Sequence, residues 1–451
     1  MNLLRKFSFS LFCISKRLSL VFSLLIEDNS TKALKRLVPF ISSLVFLAAC
    51  SDFFEPVDST PAPTEYTYNY WLLQRSYLFE DELPLLDEQG DSVTELYAKL
   101  SDPYTRYVPP AKSEETITHM NTSFVPGDVG MEYTTFATEH PIVIQRVYAQ
   151  SPAGRAGIPR YGNILSINDI DLVGNRAKAT YDSVLTYNKE VTLKVTYHGD
   201  TTDYKLIKED IYAPTVFLDT MGGIEIITIT GFKLTTADKK NGTLGELKAH
   251  LDSTKNTTAA RIIDIRSNPG GHVTHCTAMA DLFIEKGPVS IRSSRTTDAA
   301  GTPVNHTELV SAKPGDAGEK HKFVALVSKN SASCAEIFAA AIQEGANIPV
   351  AGDTTYGKGI GQGTWKTLNG GLAIITNHEF LTPKGNSYHK KGIIPNYVCE
   401  PATISCGLEA IQKYHGTTAT KAILPDNYID NAVRYTPNDF EGGAITEGDA
   451  L

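Results

Sequence analysis

The stretch "ARIIDIRSNPGGHVTHCTAMADLFI", Ala260 to Ile284, does more than any other to limit the folds open to this chain. A short apolar run without polar alternation is buried on both faces. It stops at Pro269-Gly270-Gly271, which can continue neither a ladder nor a helix, and a helix-length segment follows. The cadence repeats around it. "IEIITITGF" reads as a strand and "LGELKAHLDS" as an amphipathic helix; "FVALVS" reads as a strand, "SCAEIFAAAIQEG" as a helix and "GLAIITNHEFLTPKG" as a further strand region. Strands alternating with helices predict an α/β layer fold whose chemistry gathers at strand C-termini, here over residues 211–406.

The texture differs upstream. Residues 119–210 carry short β-rich runs, "PIVIQRVY", "NILSIND" and "EVTLKVTYHGD", separated by Gly/Pro/Asn turns, and read as a compact β-rich domain inserted before the core. Residues 66–118 space Trp71, Leu72, Leu78, Leu86 and Leu96 at roughly helical intervals and predict a small helical unit. Residues 51–65, rich in Pro, Ser, Thr and acids, read as a tether. Residues 1–50 read as a leader, with Lys32, Lys35 and Arg36 ahead of an apolar stretch ending Leu47-Ala48-Ala49-Cys50. The small residues before Cys50 resemble a bacterial lipobox, which implies a lipidated Cys50 and a membrane anchor. Residues 407–451 hold a helix, "GLEAIQKY", and a polar acidic tail.

The formal charge of −9 over 451 residues comes with no basic block and no Lys/Arg face interleaved with aromatics, which argues against a nucleic-acid partner. With Cys13 in the leader and Cys50 lipidated, Cys276, Cys334, Cys399 and Cys406 remain in an exported compartment where disulfides persist. Cys399 and Cys406 are close enough in sequence to pair; two free thiols fit equally.

Chemistry concentrates at "KNSASCAEIF", Lys329 to Phe338, where Ser331, Ser333 and Cys334 crowd a strand-to-helix turn with no histidine beside them. A nucleophile there sits at a helix N-terminus, whose free N–H groups and dipole favour an oxyanion. The Ser333-to-Glu336 spacing also fits a capping box, so Ser333 equally reads as a helix cap. A base is offered by "TTYGKGIGQG", in which glycines frame Lys358 and Gln362 follows four residues on. A lysine serves as general base only if its free pKa of about 10.4 falls by roughly three units, which burial achieves, and a neutral amide can orient it without restoring its charge. "GDTTYGKG" also matches the start of a phosphate-binding loop, but Gly359 stands where Ser or Thr would hold magnesium. Pro269-Gly270-Gly271 offers unhindered N–H groups as further oxyanion donors. "HVTHC" spaces His272, His275 and Cys276 like metal ligands on one helical face, yet no second cluster accompanies them, so neither metal nor cofactor is expected.

Two resemblances follow from these motifs. "SPAGRAGI" with "GNILSINDI" resembles a PDZ domain of the bacterial protease-associated type, with Asn163 where aspartate is commoner. It implies that Val129-Gly130-Met131-Glu132 holds a peptide's terminal carboxylate while the peptide adds as a strand. In order, "LSDPYTRY", the PDZ segment, "ITGF", "IDIRSNPGG", "SASCAEIFAAAIQ", "YGKGIGQ", "LTPKG" and "GIIPN" resemble the C-terminal processing peptidases, serine proteases with a Ser-Lys dyad. That resemblance implies a crotonase-like α/β core, Ser333 as nucleophile, Lys358 as general base, Gln362 orienting it, and an oxyanion hole at the N–H of Cys334 and of Gly270 or Gly271. The 25-residue separation of Ser333 and Lys358 suits the family. "SASCAE" stands for the commoner "SASASE", which places a thiol sensitive to oxidation beside the nucleophile, and Asn396 replaces a frequent aspartate. The implied protein is a lipid-anchored endopeptidase of the bacterial cell envelope acting on proteins with apolar C-termini; the alternative is a non-catalytic peptide-binding scaffold on a degenerate protease core.

Overall fold

A computed structural model describes residues 63–87, 89–135, 142–298, 302–420, 430 and 445–447; the leader with Cys50 and nearly all of the tether lie outside them. Helix α1 (Glu65–Ser76) begins at Thr64, whose hydroxyl accepts from Thr67 N at 3.1 Å, and α2 (Val93–Ala98) begins at Ser92. Strand β1 (Arg106–Val108) and helix α3 (Pro110–Asn121) follow, with proline in the first turn of α3, where its missing N–H costs nothing. The 66–118 segment holds helices, as its spacing predicts, and they pack onto the core. Tyr66, Leu72, Leu73 and Leu96 bury themselves against Ala373 and Ile375 of the core, and β1 pairs with residues 372–374. A segment this short cannot bury enough apolar surface alone, so it completes a neighbouring layer.

Strands β2 (Phe124–Asp128), β3 (Met131–Thr135) and β4 (Ile142–Val147), helix α4 (Pro152–Arg155), strands β5 (Asn163–Ile167) and β6 (Ile170–Asp171), helix α5 (Ala177–Tyr187), and strands β7 (Glu190–Tyr197), β8 (Asp200–Ile207) and β9 (Glu209–Tyr212) build the β-rich unit. Its sheet runs β3-β4-β5-β7-β8, antiparallel throughout, with β6 folded back on β5. Val191, Leu193 and Val195 alternate inward along β7 and meet Ile142, Ile144, Ile164 and Tyr181 in one core. A β2–β9 ribbon brings the entering and leaving chain together, so the unit is inserted at one point.

The core begins with β10 (Val216–Met221) and β11 (Ile224–Ile229), then α6 (Gly242–Ser253), β12 (Arg261–Asp264), α7 (Val273–Asp281), β13 (Pro288–Thr297), β14 (Pro303–Ser311), β15 (Phe323–Val327), α8 (Cys334–Glu344), β16 (Val350–Gly352), β17 (Ile360–Lys366), β18 (Leu372–Leu381), β19 (Tyr397–Val398) and α9 (Ile404–His415). One sheet runs β10-β11-β12-β15-β16-β19, parallel from β11 onward. Ile263, Ala325 and Val327 face α7 and α8, while Ile262, Val324 and Leu326 face Ile404, Ala410 and Ile411 of α9. The apolar runs are therefore covered on both faces, as their lack of alternation requires. The second sheet runs β14-β13-β18-β17, continued by β20 (Ile445–Glu447) pairing parallel to Gln362–Thr364. The 407–451 segment is thus more than a polar tail: Asp430 accepts from Ile404 N at 2.7 Å and pairs with buried Arg266. Together these sheets and helices make a mixed α/β, multidomain fold.

Candidate active site

β15 and β12 are neighbouring parallel strands, so the loops leaving their C-terminal ends, 328–333 and 265–272, lie side by side. Ser331 is consumed in joining them: its Oγ donates to Ile265 O at 2.8 Å and accepts from Ser328 N at 3.0 Å, and its carbonyl accepts from Tyr356 N at 3.0 Å. Ser333, 1% exposed, precedes α8 with φ 55° and ψ −119°, a conformation a residue with a Cβ adopts only at a cost of about 1–3 kcal/mol. Strain of this kind at a strand-to-helix turn presents a side chain outward from the turn. No group among the described residues accepts from the Cys334 N–H that follows.

Glu336 joins this turn to the lysine loop. Its fully buried carboxylate accepts from Ser333 N at 2.9 Å and Lys358 N at 2.7 Å on one oxygen, and from Gly357 N and Thr355 Oγ1, both at 2.6 Å, on the other. Burial pushes this carboxyl up to about 7, against the pull of its four donors. Sequence reasoning treated Glu336 as a capping partner alone; its reach to residues 355–358, about twenty positions away, left no local signal.

Lys358 is 1% exposed, with Nζ 3.2 Å from Gln362 Oε1 and 4.0 Å from the centre of the Tyr104 ring. Burial lowers its pKa to about 7, opposed by the Asp102 and Glu336 carboxylates and aided by Arg106. Gly357 and Gly359 frame it because the chain passes close to a neighbouring loop: a Cβ on Gly359 would lie 2.9 Å from His389 N, and Gly357 has φ 91°. Gln362 Nε2 donates to Thr376 Oγ1 at 2.9 Å, which turns its carbonyl oxygen toward the amine. Thr376 N in turn donates to Thr105 Oγ1 at 2.9 Å, and Thr105 donates to Asp102 at 2.5 Å. "LSDPYTRY" is therefore the second wall of the site, a place its sequence did not disclose.

The glycine turn closes the other side. Gly270 has φ 112° and a Cβ there would lie 2.9 Å from Ser333 Cβ, so the two loops touch only because this residue lacks one. The Gly270 N–H already donates to Asn268 Oδ1 at 2.9 Å, and Asn268 Nδ2 is anchored on Ile229 O. Of the two glycines it is Gly270 whose N–H is taken up; no group among the described residues accepts from the Gly271 N–H. Cys334 is not the free thiol read from the sequence. It is disulfide-bonded to Cys276, with 5.7 Å between Cα atoms, which also removes Cys276 as a metal ligand. No metal-competent group of three His, Cys, Asp or Glu exists among the described residues. Burial holds His272 down at about 4, with His275 and Lys233 nearby adding to the effect. Cys399 and Cys406 are also bonded, Cα atoms 6.3 Å apart.

In the β-rich unit, β3 is an edge strand facing α5. Val129 is buried, Gly130 takes φ 81°, Met131 opens β3, and Glu132 pairs with Arg146 at 2.7 Å. The Gly130 N–H, assigned by resemblance to a peptide carboxylate, donates here to Asp128 Oδ1 at 2.6 Å. Tyr133 bridges β3 to α5, its hydroxyl bonded to Asp182 and its ring centre 4.6 Å from that of Tyr181.

Residues 223–399 match the model of peptidase family S41. Over those residues the chain is similar to the S41 peptidases. Related proteins described as CtpA-like serine proteases include one of Staphylococcus aureus strain N315, 29% identical over 329 residues, 72% of this chain and 62% of that protein. Another, from the bovine strain RF122 / ET3-1, is 31% identical over 300 residues, 66% of this chain and 57% of its own. The chain thus spans less than two thirds of the length of these relatives. Among solved structures, a Bacteroides fragilis NCTC 9343 protein assigned to the S41 proteases has the same fold, with a TM-score of 0.54 over 78% of this chain and 93% of its own at 12% identity.

Proposed function

We propose that the chain is a serine endopeptidase that cuts proteins near their C-termini, with Ser333 as nucleophile and Lys358 as its base. The observation that carries this reading is the tie through Glu336, which holds a strained serine and a buried lysine of pKa about 7 on one carboxylate oxygen. Ser333 Oγ attacks the scissile carbonyl carbon as its proton passes to Lys358 Nζ. The resulting oxyanion is met by the N–H groups of Cys334 and Gly271. As the C–N bond breaks, Lys358 returns the proton to the leaving amine and an ester remains on Ser333. Lys358 then takes a proton from water, hydroxide adds to the ester, and the proton returns to Ser333 Oγ as the new carboxylic acid leaves and ionises in solvent. The β-rich unit, as a PDZ domain, takes apolar C-terminal tails at β3, which requires Asp128 to release Gly130 and Tyr133 to swing from α5. The leader and Cys50 place the enzyme on a lipid anchor in the bacterial cell envelope, an oxidising setting that suits two disulfides. A binding scaffold would have no use for a strained serine beside a neutralised lysine.

Ser333→Ala and Lys358→Ala should each lower cleavage of an apolar-tailed protein by about 10⁴-fold or more, with unchanged circular dichroism. Wild-type-like turnover in either variant would overturn the dyad. Cys50→Ala should release the protein from the membrane fraction; full retention there would remove the lipid anchor.

A further inference from the structure

The Cys276–Cys334 disulfide joins the two helices that follow the loops of the site. Residue 276 is in the first turn of α7 and residue 334 opens α8, and those helices follow the two loops that carry the oxyanion donors. On the strand side the loops are already tied: Ser328 Oγ donates to Arg266 O at 2.7 Å, Ser331 Oγ to Ile265 O at 2.8 Å, and Ala332 N to Asn268 O at 3.1 Å. On the helix side no hydrogen bond between the first turns, among the described residues, does the same work, and the disulfide supplies the closure. Cys334 is itself the donor residue; Gly271 lies five residues before Cys276 on the same loop-to-helix connection.

We propose that this disulfide is a positioning brace that fixes the separation of the Cys334 and Gly271 N–H groups. The proposal rests on the Ser-Lys reading above. Both cysteines are 0% exposed, so a thiolate from solvent has no approach to either sulfur, and the bond acts as a fixed part of the site rather than as a redox switch. Phe232 N donates to Gly270 O at 3.0 Å and Phe232 O accepts from His272 N at 2.8 Å, so the Gly271 N–H is held from the β11 side; the disulfide fixes where the Cys334 N–H sits against that turn, and a donor aimed at a developing oxyanion loses value with small misplacement.

The test uses the full chain in detergent and its Cys276→Ala, Cys334→Ala and Cys276→Ala/Cys334→Ala variants. Non-reducing peptide mapping of the wild type should recover the 276–334 linkage. Outright loss of an oxyanion donor costs about 10²–10³ in kcat; misalignment should cost less, roughly tenfold, at temperatures far below Tm and with KM within about twofold. The inhibition constant of a peptide aldehyde, whose adduct on Ser333 places an oxyanion in the hole, should rise in proportion. The two single variants should match the double, because either breaks the same bond. A map without the linkage, a fall in Tm with kcat and aldehyde affinity unchanged, or a loss confined to Cys334→Ala would overturn the brace. Failure of the parent reading is separately visible, as an inactive wild type or an active Ser333→Ala.

Discussion

At Lys358 the chain surrenders stability to bury an amine. Its pKa falls from 10.5 to about 7 on folding because a fully buried amine loses hydration and gains no carboxylate in contact. Between pH about 7 and 10.5 the unfolded chain binds a proton the folded chain does not, so this group makes stability rise with pH through that window and imposes its whole cost below it. A tenfold difference in proton affinity between the folded and unfolded states is worth about 1.4 kcal/mol, which puts the cost at several kcal/mol. Lys358→Met, which keeps the volume and removes the charge, should therefore have a higher Tm than the wild type at pH 7 and a flatter Tm profile between pH about 7 and 10.5. In the wild type, kcat/KM should climb as pH rises through about 7, because only the neutral amine accepts a proton. Scanning calorimetry beside a pH–rate profile checks both; a Lys358→Met variant less stable than the wild type at neutral pH would contradict the argument. The lysine and its serine were legible in sequence because glycines and a strand-to-helix turn mark them locally. The Cys276–Cys334 bond was not, since 58 residues separate its halves and only packing brings α7 and α8 together.

Between elements, the critical joint is Glu336, which connects the start of α8 to the loop before β17. Four donors converge on its two oxygens, so an amide in its place must turn an N–H toward another N–H or a hydroxyl. Glu336→Gln should cost about 1–3 kcal/mol of stability. It should also lower kcat at least tenfold with little change in KM, because Ser333 N and Lys358 N share one oxygen and separate when it goes. Thermal melts and steady-state kinetics on the same preparation measure the two effects, and an unaltered kcat would show that the dyad holds itself together. Thr105→Val is a milder version from the opposite wall. It deletes the acceptor of Thr376 N and the donor to Asp102, loosening Gln362 without touching Lys358. The S-x-x-E spacing disclosed the cap of α8, but a sequence pattern of period 3.6 cannot report a side chain that satisfies a loop twenty residues on. For the same reason "LSDPYTRY" was visible as a motif and invisible as a wall of the site.

At the scale of the molecule, the βαβ alternation from residue 222 and the β-rich insertion were readable because each repeats a hydrophobic period several times over. The helices of the N-terminal segment were readable too, but not their place, because α1 and β1 complete layers begun by β18, almost three hundred residues away. Arg146, Tyr148 and Arg160 of the β-rich unit reach β10 of the core, which makes the coupling of unit and core testable. Glu132, in the loop proposed to bind peptide, holds Arg146 at 2.7 Å; the Arg146 guanidinium lies 4.1 Å from the centre of the Phe217 ring in β10, and Arg160 binds Asp219 on that strand. β10 pairs with β11, and Ile229 at the end of β11 accepts from Asn268, which orders the glycine turn. On the proposed reading, a tail entering at residues 129–132 competes for Arg146 and Tyr148, the two side chains that hold Glu132 and reach Phe217 of β10. Arg146→Ala should then shrink the ratio of kcat/KM between a substrate with a free apolar C-terminus and the same substrate amidated there, moving it toward one. Phe217→Ala should do the same, and the double variant should do no more than either alone, since both cut one connection. Additive losses would place the two residues in separate roles, and an unchanged ratio in Arg146→Ala would show that the β-rich unit captures tails without informing the dyad.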